Sequence, residues 1–158
     1  MEQICIGVVT VSDTRSEETD RSGPAAVAAL ERLGYSRFER RLVRDEIEEI
    51  QAAIRILAET CPAVFTTGGT GFSHRDVTPE ATAPMLERRA DSLVELMRLK
   101  GLEHTPLSHL SRGVAGIRGR TLIVNLPGSP KGAAQGIEAI GHLLDPILDA
   151  LASDNGLP

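Results

Sequence analysis

The chain has 158 residues, enough for a single domain over residues 1–158 with a sizeable core. Its net charge of −5 argues against nucleic acid or an anionic membrane as partner by broad electrostatic attraction, though local anion binding stays open. Three Phe, one Tyr and no Trp leave no stacking platform for single-stranded nucleic acid.

Residues 4–11 (ICIGVVTV) form a near-continuous β-branched run, the pattern of a strand buried on both faces of a parallel sheet. Ser12-Asp13-Thr14 ends it and a polar loop follows. Ser22-Gly23-Pro24 predicts a helix start, with Ser22 as cap, Val27, Leu30 and Leu33 inward, and Gly34 as stop. Residues 36–44 read as a second strand, with Phe38, Leu42 and Val43 inward. Asp45 follows directly. Ile47, Ile50, Ile54, Leu57 and Ala58 have helical spacing. Residues 63–66 are a short third strand and 67–78 a loop. Thr78-Pro79 then caps a helix to about Leu86. Further helices are expected at 91–101 and, short, at 108–115. Residues 121–126 (TLIVNL) are the last strand. Pro127-Gly128-Ser129-Pro130-Lys131 leads into a long helix with Ile137, Ile140, Leu144, Ile147 and Leu151 inward, which Pro146 should kink or divide.

This alternation predicts an α/β fold, a three-layer αβα sandwich with a mostly parallel central sheet. Only the last few residues read as disordered. No stretch reads as a signal peptide or membrane span, so the expected location is the cytoplasm. Cys5 and Cys61 occupy apolar strand or strand-edge positions and read as reduced core thiols.

In such folds ligands bind beyond the carboxyl ends of the strands. Four polar loops fall there: Ser12-Asp13, Asp45, residues 67–76, and residues 127–131. The third carries Thr67, Gly68, Gly69, Thr70 and Gly71. Glycines let backbone N–H groups approach an anion closely, but they also make plain tight turns. The loop is neither a Walker A sequence nor a dinucleotide fingerprint. Asp45 and Asp76 each precede a helix, so each is either a dipole complement or half of a hard-cation site. Ser129 reads as a helix cap with Pro130 at the first position, and Lys131 and the exposed amides there suit an anion. Ser111-Arg112 is a polar turn whose Arg suits phosphate. Arg118 and Arg120 flank a glycine turn and read as exposed. The four His have no metal-ligand spacing; His74 alone lies in a suspect loop.

Together these segments resemble the MoaB/Mog family of molybdenum cofactor biosynthesis, which includes molybdopterin adenylyltransferases and the gephyrin-type domain. The resemblance spans about residues 4–150. It rests on TVSDTRS at 10–16, DRSGP at 20–24, TTGGTGFSHRDVTPEAT at 66–82, the Glu95-to-Arg98 element, and SRGVAGIRGRTLIVNLPGSPKG at 111–132.

The resemblance implies a nucleotidyltransferase that joins ATP to molybdopterin with Mg²⁺, releasing pyrophosphate. It implies catalytic, metal-linked roles for Asp45 and Asp76. It implies a substrate pocket drawn from Gly68, Gly69, Thr70, Gly71, Ser111, Arg112, Pro127, Gly128, Ser129 and Lys131; from their place at strand ends, Thr67 adds a hydroxyl donor there, and Ser12 and Asp13 either bind the ligand or merely end their strand. It further implies a homotrimer or a paired-trimer hexamer, with the downstream metal-insertion protein as partner. A non-catalytic molybdopterin-binding or carrier protein of the same family is the alternative. Two positions depart from the common pattern. Arg44 stands where many members have Pro, and Asp91-Ser92-Leu93 where many have Pro-Gly-Phe.

Overall fold

A computed structural model describes residues 3–153. The tail read as disordered, 154–158, lies outside the described residues. The elements are β1 (Cys5–Val11), α1 (Ser22–Arg32), β2 (Arg37–Val43), α2 (Ile47–Ala58), β3 (Ala63–Thr67), α3 (Thr78–Thr82), β4 (Arg88–Arg89), α4 (Asp91–Gly101), β5 (Ala115–Arg118), β6 (Thr121–Leu126) and α5 (Pro130–Ala152). They form one six-stranded sheet in the order β2-β1-β3-β6-β5-β4. The four strands β2, β1, β3 and β6 are parallel; β5 and β4 add an antiparallel edge.

The period-2 alternation of β1 divides the core. Ile6 and Val8 point to a layer with Leu30, Phe65, Ile137 and Ile140, which joins α1, α4 and α5 to one face. Cys5, Val9 and Val11 point to a layer with Ile50, Ile54 and Leu57, which joins α2 to the other. The expected αβα sandwich is therefore present. Every residue of β1, β3 and β6 is buried, whereas β2 is a half-exposed edge carrying four charged side chains.

Several local readings change. The span expected as a helix at 108–115 is a 3-10 turn at Pro106–Leu110, followed by extended chain that enters β5. β5 runs back along β6 through the Gly119 turn, so Ala115 faces Val124. The helix begun at Thr78 lasts five residues and passes into a 3-10 turn at Ala83–Met85. α5 continues through Pro146 as one element. Ser22 is not the cap of α1. Asp20 Oδ1 accepts the N–H of Gly23 at 3.1 Å in its place. Thr78 is not a cap either, because its hydroxyl donates to the Gly68 carbonyl at 2.9 Å. The Asp91-Ser92-Leu93 departure is accommodated without loss of helix: Asp91 sits in the first turn of α4 and Leu93 is buried.

Candidate active site

β2 and β3 lie on opposite sides of β1, so chain order reverses between β1 and β3. At such a point the loops leaving adjacent strands diverge and open a crevice. A cavity of about 350 Å³ lies there. The loop after β1 lines it with Ser12 and Asp13, the loop after β2 with Asp45, the loop after β3 with Gly68, Gly69 and Asp76, and the loop after β6 with Gly128. All four suspected loops thus meet at one place. A second cavity, about 280 Å³ and more apolar, lies across the 127–130 turn. Ser111, Asn125, Pro127, Ser129, Met97 and Arg98 are among its lining residues.

The glycine loop is shaped by close approach. Gly68 has φ +103°, and a Cβ there would stand 2.3 Å from the carbonyl oxygen of Val11. Any side chain would push β3's loop off β1. Thr67 Oγ1 donates to the Pro127 carbonyl at 2.6 Å, tying the β3 and β6 loops. Among the described residues, no protein acceptor takes the backbone N–H of Gly69, Thr70 or Gly71. These amides are free for a ligand.

Asp45 and Asp76 reach the cavity from different loops. Asp45 Oδ1 lies beside Gly69, and Asp76 Oδ2 beside Gly71. Asp76 also orders its own loop by accepting the N–H of Ser73 at 2.9 Å. Burial raises the Asp45 pKa above the usual aspartate value, and the negative charges of Asp13 and Asp76 raise it further. A divalent cation would relieve that repulsion. The residues fit Mg²⁺, which takes one or two carboxylates and completes its shell with water and substrate phosphate.

Asp13 has a different job. It accepts the Asp45 N–H at 3.0 Å and two hydrogen bonds from Arg75. The Arg75 guanidinium holds its carboxyl below the usual range, with the Asp45 N–H adding to the effect. Arg112 is a brace. Its Nε donates to the Gly71 carbonyl at 2.7 Å and its Nη2 to the Asp76 carbonyl at 2.8 Å, while Glu80 takes a bidentate pair. Ser129 caps α5 by accepting the Gly132 N–H at 2.9 Å, with Pro130 first in the helix, as its sequence indicated. Ser111 is held by Arg98, whose Nε donates to its carbonyl at 2.9 Å. Thr67, Thr70, Gly71, Arg112 and Lys131 line neither cavity. Lys131 and His74 are exposed.

Three residues escaped the sequence reading. Asp20 lines the larger cavity, is 6% exposed, and accepts from Thr10 Oγ1 at 2.7 Å and Arg40 at 2.9 Å. An acid two residues before Ser22-Gly23-Pro24 was its signal. Arg75 bridges Asp13 and Glu46. Asn125, a lone amide inside the apolar run TLIVNL, is 1% exposed and lines the second cavity.

Residues 7–149 match the family described as "Probable molybdopterin binding domain". The chain is 40% identical, over 99% of its length, to the molybdenum cofactor synthesis protein cinnamon of Drosophila melanogaster, but spans only 27% of that longer protein. It is 39% identical to the molybdopterin adenylyltransferase of Helicobacter pylori strain J99, over 89% of this chain and 83% of that one. The molybdopterin biosynthesis enzyme MoaB of Thermus thermophilus superposes with a TM-score of 0.80 at 44% identity, covering 93% of this chain and 98% of that one.

Proposed function

The chain belongs to the molybdopterin-binding family of molybdenum cofactor biosynthesis that includes the molybdopterin adenylyltransferases, and we propose that it is such an adenylyltransferase. It joins the terminal phosphate of molybdopterin to the α-phosphate of ATP and releases pyrophosphate. The observation that carries this reading is the pair Asp45 and Asp76 facing one cavity beside the free amide of Gly69.

The nucleophile needs no base from the protein. A phosphomonoester has its second pKa near ~6 and is largely dianionic at neutral pH. The difficulty is holding two anions together, and it calls for positive charge and positioning. The Gly69 amide, on the wall of that cavity, supplies a donor that needs no reorganisation. Asp45 and Asp76 would hold Mg²⁺, which would supply positive charge against the phosphates. Arg112, Asp13 and Arg75 keep the two aspartates and the loop in place. Lys131, at the exposed start of α5, adds a cation near the same loops.

The protein works as a homotrimer, alone or paired into a hexamer. Phe72, Leu99, Leu107 and Leu110, each more than half exposed, support an assembled state. No helix of the described residues is long and apolar enough to cross a membrane. We place the reaction in the cytoplasm, with the product passed to a metal-insertion protein.

The test is to incubate the protein with molybdopterin, Mg²⁺ and ATP, and to follow pyrophosphate and adenylylated pterin by chromatography. Product from wild type and none from Asp76→Ala supports the reading. If wild type binds molybdopterin but yields no pyrophosphate, the adenylyltransferase reading fails and the protein is a carrier.

A further inference from the structure

Far from these cavities, at the amino end of the sheet, three side chains converge from three segments. Cys5 opens β1, Cys61 precedes β3, and Glu39 comes from the edge strand β2. Their ligand atoms all lie within 4.8 Å of one another, and the two Sγ atoms are 2.9 Å apart. Among the described residues no other group of three His, Cys, Asp or Glu meets that condition. We propose that Cys5, Cys61 and Glu39 form a binding site for a thiophilic divalent cation of the zinc class.

The donor set selects that class. Two thiolates exclude a hard cation such as Mg²⁺, and a carboxylate beside them suits Zn²⁺ better than Cu⁺. Zinc bonds of about 2.0–2.3 Å in a tetrahedron put donors roughly 3.5 Å apart, so small side-chain adjustments complete the site. The two cysteines are 3% and 1% exposed, while Glu39 is half-buried and gives the ion a way in. Thr60 supplies the outer hydrogen bond that metal sites use to orient a carboxylate. Its Oγ1 donates to Glu39 Oε1 at 3.2 Å and lies 3.7 Å from Cys61 Sγ. Solvent fills the fourth position.

Burial, followed by the hydrogen bond and charge of Cys61 and then Glu39, pushes the Cys5 thiol up to about 12. The metal-free Cys5 thiol is therefore protonated and a poor nucleophile. Binding displaces both thiol protons to solvent with no change of oxidation state, so affinity rises with pH.

The experiment is an anaerobic titration of the reduced full-length protein with Co²⁺. The chain has two cysteines, so any sulfur-to-cobalt charge-transfer band reports on this site alone. The expected result is one Co²⁺ per chain with such a band, bleached by Zn²⁺ and absent in Cys61→Ser. Glu39→Gln, on the exposed edge strand, keeps the fold and should weaken Co²⁺ binding about tenfold or more. No band at several equivalents of Co²⁺ overturns the proposal, and so does unchanged affinity in Glu39→Gln.

Discussion

Arg75 donates to both carboxylate oxygens of Asp13, each at 3.0 Å, and Asp13 passes the restraint on by accepting the N–H of Asp45. A second contact, from Arg75 to Glu46 at 3.1 Å, pins the residue after Asp45. One guanidinium thus fixes the approach of the β2 loop to the β3 loop. Arg75→Lys keeps the charge but loses the two-pronged geometry. Because the side chain is solvent-exposed, the melting temperature should hardly move. Loosening the aspartate should lower kcat/KM by roughly 10- to 100-fold. Steady-state kinetics alongside a thermal melt check both halves.

Asp45 gives a pH prediction. Its folded pKa is raised by burial and by Asp13 and Asp76. A raised carboxylate pKa means the charged form destabilises the fold, fully so above the folded pKa. That penalty fades as pH falls through the folded pKa toward the unfolded value. Asp45→Asn removes it. The variant should melt above wild type at pH 7, and the gap should close as pH drops into the carboxylate range. Activity should fall by at least ~100-fold. Melting curves from pH 8 to pH 4 without Mg²⁺ test the sign, and a variant that melts below wild type at pH 7 contradicts it.

Gly68 and Gly34 separate strain from collision. Both have positive φ, +103° and +104°. A Cβ on Gly34 meets nothing within 4 Å, whereas on Gly68 it meets the Val11 carbonyl at 2.3 Å. Gly34→Ala should cost about 1 kcal/mol, the ordinary penalty of a left-handed alanine. Gly68→Ala adds displacement of the loop and should cost more, about 2–4 kcal/mol, with loss of substrate binding. Urea denaturation of the two variants makes the comparison.

Asn125 holds the floor of the second cavity. Its amide donates to Thr66 Oγ1 at 2.9 Å and Thr82 Oγ1 at 3.1 Å, and its Oδ1 accepts the Val114 N–H at 3.1 Å. Asn125→Ala strands a buried N–H and opens a void, so a loss of about 2–4 kcal/mol is expected. Asn125→Leu should not recover it, because no apolar group satisfies the Val114 amide. Denaturation midpoints decide.

What could be read from the sequence follows the range of the interactions. β1, β3, β6 and the helices α1, α2, α4 and α5 announce themselves through local periodicity, and Ser129 through a local cap. The strands β4 and β5 do not. β4 has two residues, Arg88 and Arg89, and β5 begins at Ala115-Gly116; β5 exists because β6 offers an edge to pair with, and β4 because β5 then does. Thr78 and Ser22 look like caps in sequence, yet the Thr78 hydroxyl goes to the Gly68 carbonyl ten residues back, and Asp20, three residues before Gly23, supplies the capping oxygen in place of Ser22. The meeting of four loops was legible because all follow strands. The bracing by Arg75 and Arg112 was not, since each spans more than 25 residues of chain.

Asp76 has two duties that one substitution can divide. Its Oδ2 accepts the Ser73 N–H and so folds the loop, and its charge faces the cavity shared with Asp45. Asp76→Asn retains an oxygen for the Ser73 N–H but removes the charge. Asp76→Ala removes both. If the charge serves Mg²⁺, the two variants should lose turnover alike, by at least ~100-fold, and excess Mg²⁺ should partly rescue Asn but not Ala. If the loop hydrogen bond matters more, Asn should keep most of the wild-type rate. Stability should separate them the other way, with Asn near wild type and Ala lower by about 0.5–1.5 kcal/mol. Rates across a Mg²⁺ series, with a denaturation curve for each variant, assign the aspartate to chemistry or to the loop.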